Sequence, residues 1–102
     1  MSLHIKERYG LLINNEWVPA SDGAEFAVYN PANGDQLAIC AEATQADVDK
    51  AVEVATEAFK TWKHVSQVDR ADYLLKIADA IDAHKEHLAQ VETYDNGKPI
   101  RE

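Results

Sequence analysis

Three groups of side chains in this sequence are of types that carry chemistry in proteins. Cys40 could act as a nucleophile, His84 and His87 could ligate a metal ion, and Asp95 could bind a hard cation. A reactive thiolate requires a cationic setting or a base that lowers its pKa. Zinc requires three or four protein ligands, whereas hard cations prefer carboxylate and carbonyl oxygens. Each possibility therefore depends on the neighbours of these residues.

The cysteine lies in an apolar run at residues 36–41, with no histidine close by in the sequence. This setting favours a small buried hydrophobic residue over a nucleophile. Because Cys40 is the single cysteine, an intramolecular disulfide is impossible and a reducing compartment fits. The first residues also lack the apolar core of a signal peptide. We therefore expect a cytoplasmic protein.

The two histidines of the third predicted helix are spaced i, i+3 and could share one helical face. They supply two ligands, and neither His4 nor His64 has a spacing that would complete a zinc site. A solvated helix face is the favoured interpretation of His84 and His87, with a metal site as the alternative.

Asp95 stands directly before Asn96-Gly97, a pair typical of the end of a helix. A helix end exposes carbonyl oxygens that lack partners within the helix. A carboxylate beside such oxygens is a candidate ligand for a hard cation. Lys98 is better interpreted as a positive charge that is favourable at the helix C-terminus.

The net charge and the spacing of the glycines argue against sites for nucleic acid, anionic membranes and nucleotide phosphates. Ten basic against eighteen acidic residues give a net charge of −8, and the basic residues are scattered. Nucleic acid and anionic membranes are therefore not expected as partners. The four glycines are far apart, so no glycine-rich loop of the kind that cradles phosphates is present in the sequence.

The first forty residues are predicted to form a meander of short strands. Residues 11–13 and 16–18 flank Asn14-Asn15, and asparagine tolerates the positive φ of a two-residue hairpin turn. Residues 26–29 and 36–41 form two further extended runs, separated by a turn that contains Pro31.

From Thr44 onward, apolar residues recur at helical spacing. Thr44 with Asp47 forms a near capping box, and Ser66 opens a second helix that is predicted to pause near His84. The short link between the first two helices predicts that they are antiparallel neighbours. Residues 1–102 are thus expected to form one α+β unit with a strand meander, two to three amphipathic helices and a modest core.

The order and spacing of several segments resemble the start of the aldehyde dehydrogenase superfamily. The segment near the end, which has a pattern similar to a motif of that family, is Glu92-Thr93-Tyr94-Asp95-Asn96-Gly97-Lys98-Pro99. The other segments that carry the resemblance are residues 12–18, 29–35, 41–52, 55–62 and 70–79.

This resemblance implies an enzyme that oxidises aldehydes to carboxylic acids with NAD or NADP through a cysteine thioester. It places the present chain in the N-terminal part of a Rossmann-like α/β cofactor-binding domain, without the catalytic and oligomerisation domains. The nucleophilic cysteine, the activating glutamate and the nicotinamide-binding loop are implied to lie downstream. We accordingly expect no catalytic or cofactor-binding residue in this segment, no cofactor bound to it, and no activity from it alone.

The resemblance also implies a partial site for a monovalent cation. Family members hold this ion with backbone carbonyls after the third strand of the predicted meander and with the aspartate of the Asp-Asn-Gly-Lys-Pro motif. The matching positions are Val28, Tyr29 and Asp95, and the remaining ligand is implied to lie downstream.

Two hypotheses from different classes follow. In the first, the chain is a fragment of an enzyme whose partners are the rest of the dehydrogenase chain and, in the intact enzyme, an aldehyde. In the second, it is an independent α+β interaction module with no enzymatic activity. The two hypotheses differ in the apolar face of the helices. The enzyme fragment should expose a face that docks on another domain, and the isolated chain should therefore self-associate. The independent module should expose no such face.

Overall fold

The computed structural model describes residues 4–101 and contains five short strands followed by three helices, which confirms the α+β prediction. The strands are β1 (Arg8–Tyr9), β2 (Leu11–Ile13), β3 (Glu16–Val18), β4 (Glu25–Tyr29) and β5 (Gln36–Ala41). The helices are α1 (Gln45–Trp62), α2 (Gln67–Ala83) and α3 (Lys85–Asn96). None of these helices is long and apolar enough to cross a membrane.

The predicted two-residue hairpin is confirmed. β2 and β3 pair antiparallel, with Ile13 opposite Glu16. Between them Asn14 and Asn15 have φ values of 54° and 63°. Two successive residues of positive φ match the right-handed twist of the flanking strands, which is why asparagine occupies both positions.

The short strands of the predicted meander divide into two sheets. The hairpin stands by itself, and the second sheet has the order β1-β5-β4. In that sheet β4 pairs antiparallel and β1 pairs parallel with β5. β1 was not predicted from the sequence, since a strand of two residues is too short to show an alternating pattern.

Gly10 joins the two sheets at a point of close approach. A Cβ built on this residue would lie 2.6 Å from the backbone oxygen of Val18. The chain can therefore pass from β1 to β2 against the end of β3 only because this residue has no side chain.

The helix boundaries follow the predicted caps. Thr44 and Asp47 form a reciprocal capping box at the start of α1, and the hydroxyl of Ser66 accepts from the backbone N–H of Asp69 at the start of α2. The predicted pause is confirmed at His84, which separates α2 from α3. Gly97, with φ of +80°, ends α3 in the left-handed conformation.

The prediction that α1 and α2 are antiparallel neighbours is wrong as a statement about packing. All residues from 71 to 86 are exposed, so α2 does not bury one side along its length. Its observed contact with α1 is at the hinge between them, where the rings of Trp62 and Tyr73 lie 5.5 Å apart. The four-residue link brings two helix ends together, but buried side chains are needed to pack the helices along their lengths.

The core that the chain length allows is very small in the part of the chain that is described. Its buried hydrophobic residues are Ala20 and Ala38, whereas seventeen large hydrophobic residues are exposed. The radius of gyration is 17.0 Å, against about 13 Å for a compact domain of this length. The secondary structure is therefore complete, but the apolar faces of the helices are not covered.

Candidate functional site

The structure brings together two of the three residues of the predicted cation site. Val28 near the end of β4 and Asp95 near the end of α3 line the same open cavity of about 370 Å³, between the three-stranded sheet and α3. Tyr29 follows Val28, but it is not among the residues that line this cavity, and its side chain is 57% exposed.

The pairing of β4 with β5 is irregular opposite Val28 and Tyr29. Val28 lies opposite Ala38 and Tyr29 lies opposite Gln36, so Leu37 of β5 is the extra residue. An extra residue leaves part of the ladder unpaired and bends the strand that carries it. The positions whose carbonyls the family resemblance names therefore lie across from this irregularity.

A close contact between two turns holds the end of β4 near the end of α3. A Cβ on Gly97 would lie 3.1 Å from Cγ of Pro31, so the helix cap and the turn after β4 touch directly. Asn30 is 8% exposed, and its side-chain oxygen accepts from the N–H of Ala32 at 2.9 Å. Its backbone carbonyl accepts from Gly34 at 2.7 Å. The turn is therefore fixed by its own hydrogen bonds.

The end of α3 is closed by backbone and side-chain hydrogen bonds. The N–H of Gly97 donates to the carbonyl of Thr93 at 2.9 Å, and the side-chain oxygen of Asn96 accepts from the N–H of Lys98 at 2.7 Å. The ammonium of Lys98 lies 3.9 Å from a carboxylate oxygen of Glu92. This arrangement fits the interpretation of Lys98 as a charge at the helix end.

Cys40 lines the same cavity but is only half-buried, so the prediction of a buried hydrophobic residue is met in part. In the sheet it stands between Tyr9 on β1 and Phe26 on β4. The wall of the cavity is mainly apolar, with Leu88 and Val91 of α3 opposite the sheet. The thiol is exposed because the cavity is open, and its neighbours there are those of a packing residue.

The histidine pair does not develop into a metal site. His84 lies between the two helices, because it is the residue at which α2 ends and α3 begins. Nδ1 of His84 lies 2.8 Å from the carbonyl oxygen of Ala80. Within residues 4–101 there is no group of three or more His, Cys, Asp or Glu residues arranged to hold a metal.

The described residues contain no glycine-rich loop of the kind that binds nucleotide phosphates. Gly10 joins two strands, while Gly23, Gly34 and Gly97 each occupy a separate turn or helix cap with positive φ. A phosphate-binding loop needs clustered glycines directly before a helix.

The hydrogen bond between Asp47 and Ser21 was not predicted from the sequence. The carboxylate of Asp47, 8% exposed, accepts from the backbone N–H of Thr44 at 2.9 Å as predicted, and also from the N–H of Ser21 at 3.1 Å. The hydroxyls of Ser21 and Thr44 are 2.8 Å apart. The signal available in the sequence was the Ser21-Asp22-Gly23 turn, which places a free backbone N–H before a strand.

These hydrogen bonds favour the ionised carboxylate. The backbone N–H of Thr44, and then that of Ser21, lower the pKa of Asp47 below its ordinary value of 3.8, while burial acts in the opposite direction to a smaller extent. The result is a charged link between the β3–β4 turn and the first turn of α1.

Comparison with known proteins identifies the family. The model of the aldehyde dehydrogenase family matches residues 17–102. Aldehyde dehydrogenase B of Escherichia coli is 42% identical over 100 residues, which cover 98% of this chain and 20% of that protein. DhaS of Bacillus subtilis, whose name assigns it to the aldehyde dehydrogenases, is 47% identical over 94 residues, which cover 90% of this chain and 19% of that protein.

Solved structures agree in fold. A G224D mutant of an aldehyde dehydrogenase from Bacillus cereus superposes with a TM-score of 0.89 at 43% identity, over 93% of this chain and 20% of that one. The NAD⁺ complex of an aldehyde dehydrogenase from Bacillus cereus has a TM-score of 0.89 at 39% identity, over 99% of this chain and 23% of that one.

The chain belongs to the aldehyde dehydrogenase family, and it spans about one fifth of the length of the relatives it matches.

Proposed function

We propose that this chain is the N-terminal structural segment of an enzyme that oxidises aldehydes to carboxylic acids with NAD or NADP. The observation that carries the proposal is the match to the family over residues 17–102, together with a relative whose structure is a complex with NAD⁺. The covalent chemistry, in which a cysteine forms a thioester with the substrate, belongs to another part of the protein. We propose the cytoplasm as its location, since a single cysteine suits a reducing compartment.

In this proposal the segment contributes structure by docking on the rest of the dehydrogenase chain, as part of its Rossmann-like cofactor-binding domain. Leu74, Leu75 and Ile77 of α2 are 67%, 64% and 54% exposed. Burying a side chain of this size is favourable by about 1.5–3 kcal/mol. Most of the stability of a helix in a protein also comes from tertiary packing of its apolar face. Both facts support a covering partner for α2, and they are not what an independent module with its own core would present.

A chimera tests the function. Residues 1–102 replace the corresponding segment of the Escherichia coli aldehyde dehydrogenase B, and reduction of NAD or NADP by an aldehyde is measured. We expect the chimera to be active and the 102-residue chain alone to be inactive. A chimera that folds and binds the cofactor but does not oxidise aldehydes would contradict the proposal.

Cys40 is assigned no role in the reaction, because it stands in the middle of a strand against apolar neighbours. In the chimera, Cys40→Ser should leave the rate of aldehyde oxidation unchanged within about twofold, since a small packing residue is replaced by one of similar size. Loss of the covalent intermediate in this variant would show that Cys40 is the nucleophile, and our assignment would then be wrong.

We further propose that the carbonyls of Val28 and Tyr29 and an oxygen of Asp95 form part of a site for a monovalent cation. The shared cavity, the shift of register at Val28 and the contact between Pro31 and Gly97 support it. In the chimera, sodium or potassium should raise the melting temperature by a few degrees relative to choline at equal ionic strength. Equal melting temperatures in all three salts would contradict a cation site.

A further inference from the structure

An uncovered apolar surface lies on the first two helices. We define the helical face by eight residues whose exposure ranges from 43% to 67%. They are Val48, Val52, Phe59 and Trp62 on α1 and Tyr73, Leu74, Ile77 and Ile81 on α2. Surfaces of this kind on soluble proteins usually mark a site of interaction.

The helical face is continuous across the link between the helices. On α1, Val48, Val52 and Phe59 recur at helical spacing and lie on one side. The adjoining side of α1 faces the β2–β3 hairpin, where Val54 and Ala58 share a cavity wall with hairpin residues. The stripe then reaches α2 through the contact between the rings of Trp62 and Tyr73.

Its area approaches what a stable pair of chains needs. Aromatic side chains bury on the order of 150–250 Å² when fully covered, and the five aliphatic members of the face are smaller. At about half exposure the eight residues present several hundred Å², compared with the roughly 800 Å² that one partner contributes to an interface of standard size. None of the eight carries a charge.

We propose that two copies of the 102-residue chain pair through the helical face. A self-complementary apolar surface is what a twofold symmetric dimer requires, since the same patch serves both subunits. An anionic membrane is a poorer occupant, because the chain has a net charge of −8. The inference rests on the docking role proposed above, because the rest of a dehydrogenase chain would use the same surface.

Charge predicts the salt dependence of this pairing. Two chains of net charge −8 repel each other, and added salt screens that repulsion. Apolar contact does not weaken with salt in the way that ion pairs do. We therefore expect dimerisation to become tighter as sodium chloride is raised, whereas pairing held by salt bridges would become weaker.

Sedimentation equilibrium of the 102-residue chain tests the proposal. We expect a dimer for the native sequence and a monomer for the double variant Leu74→Glu/Ile81→Glu. Ile100→Glu is the matched control, because Ile100 is also 57% exposed but lies outside the helical face. This control should remain dimeric, and circular dichroism checks that all three chains keep their helices.

A second measurement detects pairing at the helical face itself, by the fluorescence of Trp62. In a Trp17→Phe variant, Trp62 is the remaining tryptophan, and its emission should shift to shorter wavelength as the concentration is raised through the dimerisation range.

A native chain that stays monomeric overturns the proposal, as do open-ended aggregates, a double variant that still dimerises, or emission from Trp62 that does not change. The chimera experiment is independent of all these results. A monomeric chain with an active chimera would thus overturn the pairing alone.

Discussion

The strand end and the helical end of this chain are held in different ways. Around the start of α1, polar groups find partners within the chain, as the links among Ser21, Thr44 and Asp47 show. Along α2 the backbone is equally regular, but every residue from 71 to 83 is exposed. Hydrogen bonds and caps define both regions, whereas side-chain burial is found mainly in the first.

This difference shows that secondary structure and tertiary stability have separate sources. Caps and helical periodicity are local properties, so they are complete in a chain that spans one fifth of its relatives. Burial requires a surface opposite the helix, which local sequence cannot provide. Substitutions in the two regions should therefore have unequal effects in the isolated chain.

The largest effect is expected at Gly10. A Cβ there would lie 2.6 Å from a backbone oxygen, so Gly10→Ala must displace the chain between the two sheets. We expect a loss of about 2 kcal/mol in the free energy of unfolding, measured by urea denaturation. Val68→Ala, at a residue of α2 that is 71% exposed, should change it by less than about 0.5 kcal/mol. Equal effects of the two substitutions would remove the contrast between the regions.

A somewhat smaller loss is expected at Gly97, where the two regions meet. Gly97→Ala must adopt a φ of +80° and press on Pro31 at 3.1 Å, which we expect to cost about 1.5 kcal/mol. Gly34→Ala isolates the conformational part, because Gly34 has φ of +79° and open space around it. If Gly34→Ala costs as much as Gly97→Ala, the contact with Pro31 contributes nothing.

The two helix caps offer a direct comparison. Thr44→Ala removes a cap that is tied to Ser21 and Asp47, and should cost about 1 kcal/mol. Ser66→Ala removes a cap that is bonded to its own helix through Asp69, and we expect about half that cost. Thermal unfolding of both variants, with Thr44→Ser as the conservative control, decides whether the link to Ser21 matters.

The smallest expected effect is a loss of stability at acid pH. The native state lowers the pKa of Asp47 below 3.8. The native chain therefore binds fewer protons than the unfolded chain at the pH values where this carboxylate titrates. The stabilisation is complete above about pH 4. It is lost as pH falls through the lowered pKa. Melting temperatures between pH 6 and pH 2, roughly the range over which a carboxylate titrates, should fall less steeply for Asp47→Asn than for the native chain. Parallel curves would assign the acid sensitivity to other carboxylates.

The sequence predicted the elements that local chemistry determines. The asparagine pair at 14–15, the cap at Thr44 and the glycine after Asn96 each impose a backbone geometry through their own side chains or lack of one. The strand at residues 36–41 was predicted with its observed limits, because an apolar run bounded by turn residues marks both ends.

The sequence did not predict the relations between elements that are distant in the chain. The parallel pairing of Arg8 with Ile39 and the division into two sheets depend on contacts that no local pattern encodes. For the candidate site, family resemblance selected Val28 and Asp95, which line one cavity, but Tyr29 does not line it. The extent of the core could not be predicted, because an apolar stripe indicates a need for burial and does not identify the surface that covers it.

The link from Asp47 to Ser21 has a consequence for the order of folding. The local cap between Thr44 and Asp47 spans three residues, whereas the bond to Ser21 spans twenty-six. Closing the longer loop costs more chain entropy, so the first turn of α1 can form before the β3–β4 turn reaches it. Replacing Thr44 should therefore slow folding, while changes that affect only the bond to Ser21 should mainly accelerate unfolding. A single carboxylate thus takes part in both an early and a late step of folding.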